Sequence, residues 1–449
     1  MYLLEINWSA ILANIGQFIL AFSILVVLHE MGHFLPAKWF GCRVEKFYLF
    51  FNPWFSLWKK KIGETEYGLG WIPLGGYVKI SGMVDESMDK EQMKLPAQPW
   101  EFRSKPAWQR LIIMLGGVVV NFVLALVLFA MILFVWGEER LPVKNMKYGI
   151  STDSLGTSVG LKDGDLITKV NNDSVRYMND LPKMIALTEK ITLTVHRDGR
   201  DTVITMPAGF LSTLTKDQRL AFVGARIPVI VDKVSDEIKY KNGELKSGDQ
   251  LVAINDQPFQ FYHEFDRIKK NYKNQVVDLT ALRGGDTAHI QLQLSETGSV
   301  GFLPKGPYEQ LGSEKREYSF FEAIPAGISH GVQRLGEYMT GIKLLFTSKE
   351  HKVSDNLGSV VSIGKTFGGS WDWYRFWTMT ALFSIILAFM NILPIPALDG
   401  GHALFTLYEM ITGRKPSDKF MEYAQMVGMV LLLGLMLYAF GLDIWRMFR

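Results

Sequence analysis

The stretch Ile11 to Leu28, about eighteen residues without a formal charge, runs directly into His29-Glu30-Met31-Gly32-His33. That junction decides the fold. An uncharged run of this length can cross a bilayer as a helix. If the helix continues through the motif, positions i and i+4 share a face, so His29 and His33 can offer ring nitrogens to one metal ion. Glu30 then becomes a candidate general base beside an ion-activated water. The alternative is a helix end at the membrane surface whose imidazoles and carboxylate simply face water. Ionisable groups at membrane depth are costly and mark function, so a third ligand elsewhere in the chain would decide between the two.

Working outward, three further apolar segments follow: Leu111 to Trp136, Phe376 to Leu393, and Met426 to Phe440. With the first they make four candidate spans in a chain of 449 residues. Hydrophobic residues make up 48% of the chain, too many for an ordinary soluble multidomain enzyme. The net charge of +3 gives no basic footprint for nucleic acid. Cys42 is the single cysteine, which excludes internal disulfides and a cysteine-based zinc cluster. The first apolar run lacks the basic flank and small-residue cleavage site of a secretory signal.

Charge in the short loops sets an orientation. Lys38, Arg43, Lys46, Lys59, Lys60, Lys61, Arg103, Lys105 and Arg110 follow the first span, and Arg414, Lys415 and Lys419 separate the third from the fourth. Both loops read as cytoplasmic. The long polar region from about 138 to 370 and both termini then read as outside, with Arg446 and Arg449 weighing against.

That polar region repeats itself. Leu161-Lys162-Asp163-Gly164-Asp165-Leu166-Ile167 matches Leu245-Lys246-Ser247-Gly248-Asp249-Gln250-Leu251 at an offset of 84 residues. Each copy reads as a Gly-Asp turn, an alternating strand, a short helix and a second alternating strand. The pattern resembles the PDZ family, which binds an extended peptide at a sheet edge. Val223-Gly224-Ala225 and Val300-Gly301-Phe302 are candidate carboxylate-binding loops. Spacers that bind no peptide remain the equal alternative. In the first connection, Tyr67 to Ile72 and Tyr77 to Ile80 read as a short hairpin around Pro73-Leu74-Gly75-Gly76, an edge on which an unwound substrate could be clamped.

The third span ends in Asn391-Ile392-Leu393-Pro394-Ile395-Pro396-Ala397-Leu398-Asp399-Gly400-Gly401-His402. Two prolines break the helix, and broken backbone at membrane depth must line protein or water. A carboxylate there needs a cation; alone, Asp399 would be read as a helix N-cap. With His29 and His33 it makes three ligands and leaves a fourth position for water.

H-E-x-x-H in the first span, N-x-x-P-x-P-x-L-D-G-G in the third and the inserted PDZ-like modules together resemble the site-2 protease family of intramembrane zinc metalloproteases. The resemblance implies zinc on His29, His33 and Asp399, Glu30 as catalytic base, and Asn391 holding substrate. It implies single-pass membrane proteins as substrates, cut within the bilayer during regulated intramembrane proteolysis: anti-sigma factors and signal-peptide remnants. A multi-pass protein of the bacterial inner membrane with its modules on the periplasmic side follows. One departure stands out. The family's Gly-Pro-x-x-Asn in the second span is here Gly117-Val118-Val119-Val120-Asn121, without the proline. Another motif, Ser-Gly-Pro before the third span, appears as Leu357-Gly358-Ser359. A scaffold that has lost activity is disfavoured by the intact Glu30, and a zinc transporter by the lack of a polar track through the other spans.

The expected architecture is therefore a membrane α-helical protein with four transmembrane helices, two inserted α/β PDZ-like modules and a short membrane-associated β-hairpin. Its expected segments are 1–137, with two spans and the re-entrant hairpin; 138–221 and 222–305, one module each; and 306–449, with an amphipathic connecting helix near Ser319 to Phe346 on the outer membrane surface and the last two spans.

Overall fold

The computed structural model describes residues 8–83, 96–216, 222–236, 238–348, 358 and 360–447. It divides into two compact units, one of residues 1–137, 317–340 and 357–449, the other of residues 138–316 and 341–356.

The first unit is helical. Four helices are long and apolar enough to cross a membrane: α1 (Trp8–Trp39), α2 (Ala107–Trp136), and, after α3 (Phe320–Thr347), α4 (Trp373–Ile392) and the Lys419–Arg446 stretch of the final helix. Between those last two lies α5 (Asp399–Thr412), and the final helix is α6 (Asp418–Met447). Helix α1 passes straight through the His-Glu-x-x-His motif. Pro36, near its end, removes the N–H that would bond the Gly32 carbonyl. Gly116 of α2 faces that carbonyl so closely that a Cβ on Gly116 would lie 1.9 Å from it, so the two helices cross backbone to backbone. Helix α2 is continuous past Gly117 to Trp136.

Helix α4 packs on α2 through a buried cluster of Ala125, Leu128, Phe129, Ile132, Ala381 and Ile385. Helix α5 is tied to α2 by the Arg110–Glu409 ion pair. Helix α6 approaches the Pro-rich break through Gly428, where any Cβ would collide with the Pro396 carbonyl.

One expectation for this unit is corrected. The hairpin is instead a four-stranded sheet of β1 (Val44–Phe51), β2 (Trp58–Ile62), β3 (Thr65–Leu69) and β4 (Ile72–Ile80), in the order β2-β3-β1-β4. Strand β1 lies between the two expected partners, parallel to β3 and antiparallel to β4. Pro73 does not turn the chain; it lies within β4, which is an edge strand among those described, where a missing N–H is tolerated. Helix α3 packs on α2 through its first half. Phe320 meets Phe134, a Cβ on Gly327 would strike the Ala130 backbone, and His330 stacks on Phe129. Pro325 lies near the helix start and does not interrupt it. Phe321, Ile324, Ile328, Val332 and Met339 form an exposed apolar stripe along it.

The second unit has two hydrophobic cores, one built on Ile150, Ile167, Leu193 and Val195, the other on Val231, Leu251, Leu279 and Leu292. The first holds a four-stranded sheet containing Leu166–Val170 and Thr192–Arg197, the second a larger sheet containing Gln250–Ile254 and Val276–Arg283. The offset of 84 carries over to side chains. Asp165, 1% exposed, accepts two hydrogen bonds from Arg197 and one from the Lys162 N–H; Asp249, also 1% exposed, accepts the same set from Arg283 and Lys246. Burial would raise the Asp249 carboxyl, but the bonds and charge of Arg283 and the Lys246 N–H outweigh it and hold it below the usual carboxylate range.

The boundary expected between 221 and 222 shifts. Val223–Ala225 is a strand paired with Ile150–Thr152, and Phe222 and Ile227 lie in the first core. Val223-Gly224-Ala225 is thus a sheet element, not a loop. Leu311 also packs in the first core and Glu314–Arg316 pairs with Glu138–Arg140, so residues 306–316 belong to this unit.

Candidate metal centre

Three donor atoms from two distant parts of the chain meet in the first unit. His29 Nε2 and His33 Nε2 lie 3.3 Å apart, and each is 3.3 Å from Asp399 Oδ2. The three donor atoms are close enough together to hold one metal ion. Helix α1 supplies the imidazoles because its 3.6-residue turn stacks positions 29 and 33. The carboxylate arrives because the chain breaks at Leu393 and restarts as α5 with Asp399 in its first turn.

The glycines after Asp399 make that restart sterically allowed. A Cβ on Gly400 would lie 2.3 Å from the Leu393 carbonyl, and one on Gly401 2.5 Å from that of Ile395. Ala397, two residues before the ligand, has φ +92°, a strained backbone for a residue with a Cβ.

Protonation states follow from the neighbours. His33 Nδ1 is 2.8 Å from the Ile113 carbonyl, which can only accept, so Nδ1 carries a proton and the neutral ring would offer its Nε2 lone pair to a metal. The Asn121 side-chain amide stands 3.2 Å from His29 Nδ1, and the Asn121 backbone carbonyl accepts from Ser384 Oγ at 2.7 Å. The near amide atom is Nδ2 and Oδ1 is buried without a partner, so turning the amide over would make Oδ1 the acceptor that orients His29 as the Ile113 carbonyl orients His33. Asp399 Oδ2 is buried and accepts no hydrogen bond. With both rings neutral, a carboxylate oxygen and two imidazole lone pairs held 3.3 Å apart repel, and a metal ion between them would remove that repulsion.

The spacing suits zinc. Tetrahedral ligands at about 2.0–2.1 Å from zinc stand about 3.3–3.4 Å from one another. Two imidazoles and one carboxylate leave one position open, as catalytic zinc sites do.

A cavity of about 430 Å³ opens on the ligands and is lined also by Glu30, His402, Gln425 and, from β4, Gly76 to Ile80. Of the residues expected from the sequence, His29, Glu30, His33 and Asp399 are brought together. Asn391 is not: it lies half-buried in the last turn of α4 and does not line the cavity. His402 lines the cavity but is not in the ligand cluster. Of the Leu357-Gly358-Ser359 segment, Leu357 and Ser359 lie outside the described residues.

The sequence names Gly117 only within the motif that lacks its proline and gives it no role at the site. A Cβ there would lie 2.4 Å from His33 Nε2 and 2.5 Å from His29 Cε1, so only glycine leaves room for both rings. The available signal was the adjacent Gly116-Gly117 pair inside an otherwise large-residue span.

Comparison with known proteins agrees with this chemistry. The profile of peptidase family M50 matches residues 17–435. A protein of Treponema pallidum named "Putative zinc metalloprotease" is 26% identical over 464 residues, covering 96% of this chain and 98% of the relative. Similarly named proteins of Vibrio cholerae and Rickettsia conorii are 26% and 28% identical, each over 97% of this chain and 99% of the relative. Since the match runs through both halves of the ligand set, the chain belongs to peptidase family M50, the site-2 protease family, and is a zinc metalloprotease.

Proposed function

We propose that the protein cleaves transmembrane segments of single-pass membrane proteins inside the bilayer, as a step of regulated intramembrane proteolysis. The observation that carries this reading is the depth of the ligand cluster along α2. Gly117, which abuts both imidazoles, stands six residues inside the apolar run that begins at Leu111, and Asn121 stands ten residues inside it. At 1.5 Å per residue these are about 9 and 15 Å within a span.

A substrate helix hides its peptide bonds in its own hydrogen bonds, so it must unwind before hydrolysis, and the freed groups then need partners in a medium without water. The open edge of β4 supports strand addition in the same cavity. Trp54, Phe55 and Leu57 in the connection from β1 to β2, and Trp58 at the start of β2, are exposed, with Trp71 stacked on Trp54 and Phe55, which suits the membrane boundary.

His29, His33 and Asp399 would hold the zinc. A zinc ion there supplies Lewis acidity and makes water more acidic. Glu30 takes the proton from the attacking water and returns it to the leaving amine, so that one carboxylate serves as base and then acid. Asn391, outside the cavity wall, is assigned no contact.

The loop charges support a cytoplasmic sheet and a periplasmic second unit in the bacterial inner membrane. The two lobes of that unit, alike in their buried Asp–Arg pairs, are read as PDZ-like modules that either bind a freed peptide end or exclude bulky ectodomains. Substrates of the anti-sigma-factor type and signal-peptide remnants suit such a filter.

The test reconstitutes wild type and Glu30→Gln with a single-pass substrate and maps the fragments by mass spectrometry. Wild type should cut within the apolar segment, and the variant should keep its zinc but not cleave. Cleavage only outside that segment, or wild-type cleavage by Glu30→Gln, overturns the proposal.

A further inference from the structure

Gln425 is a polar residue at the start of the fourth span. It is 7% exposed, lines the cavity that holds His29, Glu30, His33 and Asp399, and makes no hydrogen bond to a described residue. The face of α6 turned outward carries Val427, Val430, Leu431 and Leu437, all exposed and apolar. The amide thus stands at the cavity wall with no protein partner among the described residues, so its partner is whatever occupies the cavity. Its aim is built in. Gly428, one turn on, presses α6 against the Pro396 carbonyl, so this part of the helix is held against the break that delivers Asp399.

A peptide in extended form has two polar edges. Among the described residues strand β4 has one open edge, which can pair with one of them. The other edge still presents N–H and C=O groups away from water. A primary amide both donates and accepts, which matches a peptide unit; a carboxylate or ammonium would not match both and would carry a charge into the site. Resting on the intramembrane-protease reading, we propose that Gln425 is a substrate-binding residue that hydrogen-bonds the substrate backbone on the edge β4 leaves unpaired.

The experiment uses the full-length protein with a single-pass substrate in detergent. Wild type is compared with Gln425→Met, close in length but apolar, and with Gln425→Asn should the first fail to hold zinc. Substrates carrying one backbone ester in place of an amide, stepped along the cleavage region, supply a second axis. Gln425→Met should keep full zinc and raise KM roughly three- to tenfold, the worth of one hydrogen bond. One ester position should impair wild type by a similar factor and leave the variant unaffected, a coupling that a merely structural role would not produce. An unchanged KM, or esters that impair both proteins equally at every position, overturns the assignment. A wild-type protein that holds zinc but cuts no transmembrane segment would instead sink the underlying reading.

Discussion

Replacing Gly117 with alanine adds one methyl group to the face of α2 that meets the two imidazoles. That methyl would lie 2.4 Å from His33 Nε2 and 2.5 Å from His29 Cε1. Ordinary contact between such atoms needs about 3.5 Å, so the rings must withdraw by about 1 Å. The donor atoms now form a triangle of 3.3 Å sides, and metal–ligand distances tolerate about 0.2 Å. A shift of about 1 Å therefore removes at least one ligand. The helices have little freedom to yield, because α1 and α2 already touch through Gly32 and Gly116. Outer-shell substitutions that leave all ligands in place cost about 10- to 100-fold in metal affinity, so Gly117→Ala should cost about 100-fold or more. Zinc retained after dialysis against a series of buffered zinc concentrations measures this. Val119→Ala, on the exposed face of the same helix, is the control. Wild-type zinc affinity in Gly117→Ala would refute the packing argument, and with it the ligand geometry.

Two further outcomes are expected. Asn121→Leu should weaken zinc binding about 10- to 100-fold by removing the partner of His29 Nδ1, while Asn121→Asp, which keeps an acceptor, should lose less; equal affinities for Leu and wild type would rule out that role. In the second unit, Asp249 sits below the usual carboxylate pKa when folded, so its contribution to stability is present above the unfolded value of about 3.9 and is lost as pH falls through the folded one. Amide exchange in Val276–Arg283 should therefore accelerate below about pH 4. Arg283→Gln should cost this lobe about 2–3 kcal/mol at neutral pH, since the partner lost is itself about a third exposed. Exchange insensitive to both changes would exclude the pair as a stabilising element.

Much of the site was legible because it depends on local periodicity and on cost. A helix of 3.6 residues per turn places His29 over His33 wherever the chain goes next, and an uncharged run of eighteen residues has few uses outside a membrane. The break at Pro394 and Pro396 beside Asp399 was legible for the same reason: it is expensive unless something uses it. Asn391 was drawn in by its motif, yet motif spacing does not say which way a side chain leaves a helix end. The hairpin failed on similar grounds, because adjacency in sequence suggests pairing but cannot show a third strand inserted between the two.

The sequence by itself determined the spans, the ligand types and the kind of reaction, since these follow from which residues can tolerate lipid and which can bind a metal. Only the tertiary structure decided the convergence of Asp399 on the imidazoles, the room Gly117 leaves them, the free edge of β4 and the cavity-facing amide of Gln425. Each of these is a distance between residues far apart in the chain, set by how closely helices and strands can approach, and no local pattern of residues encodes it.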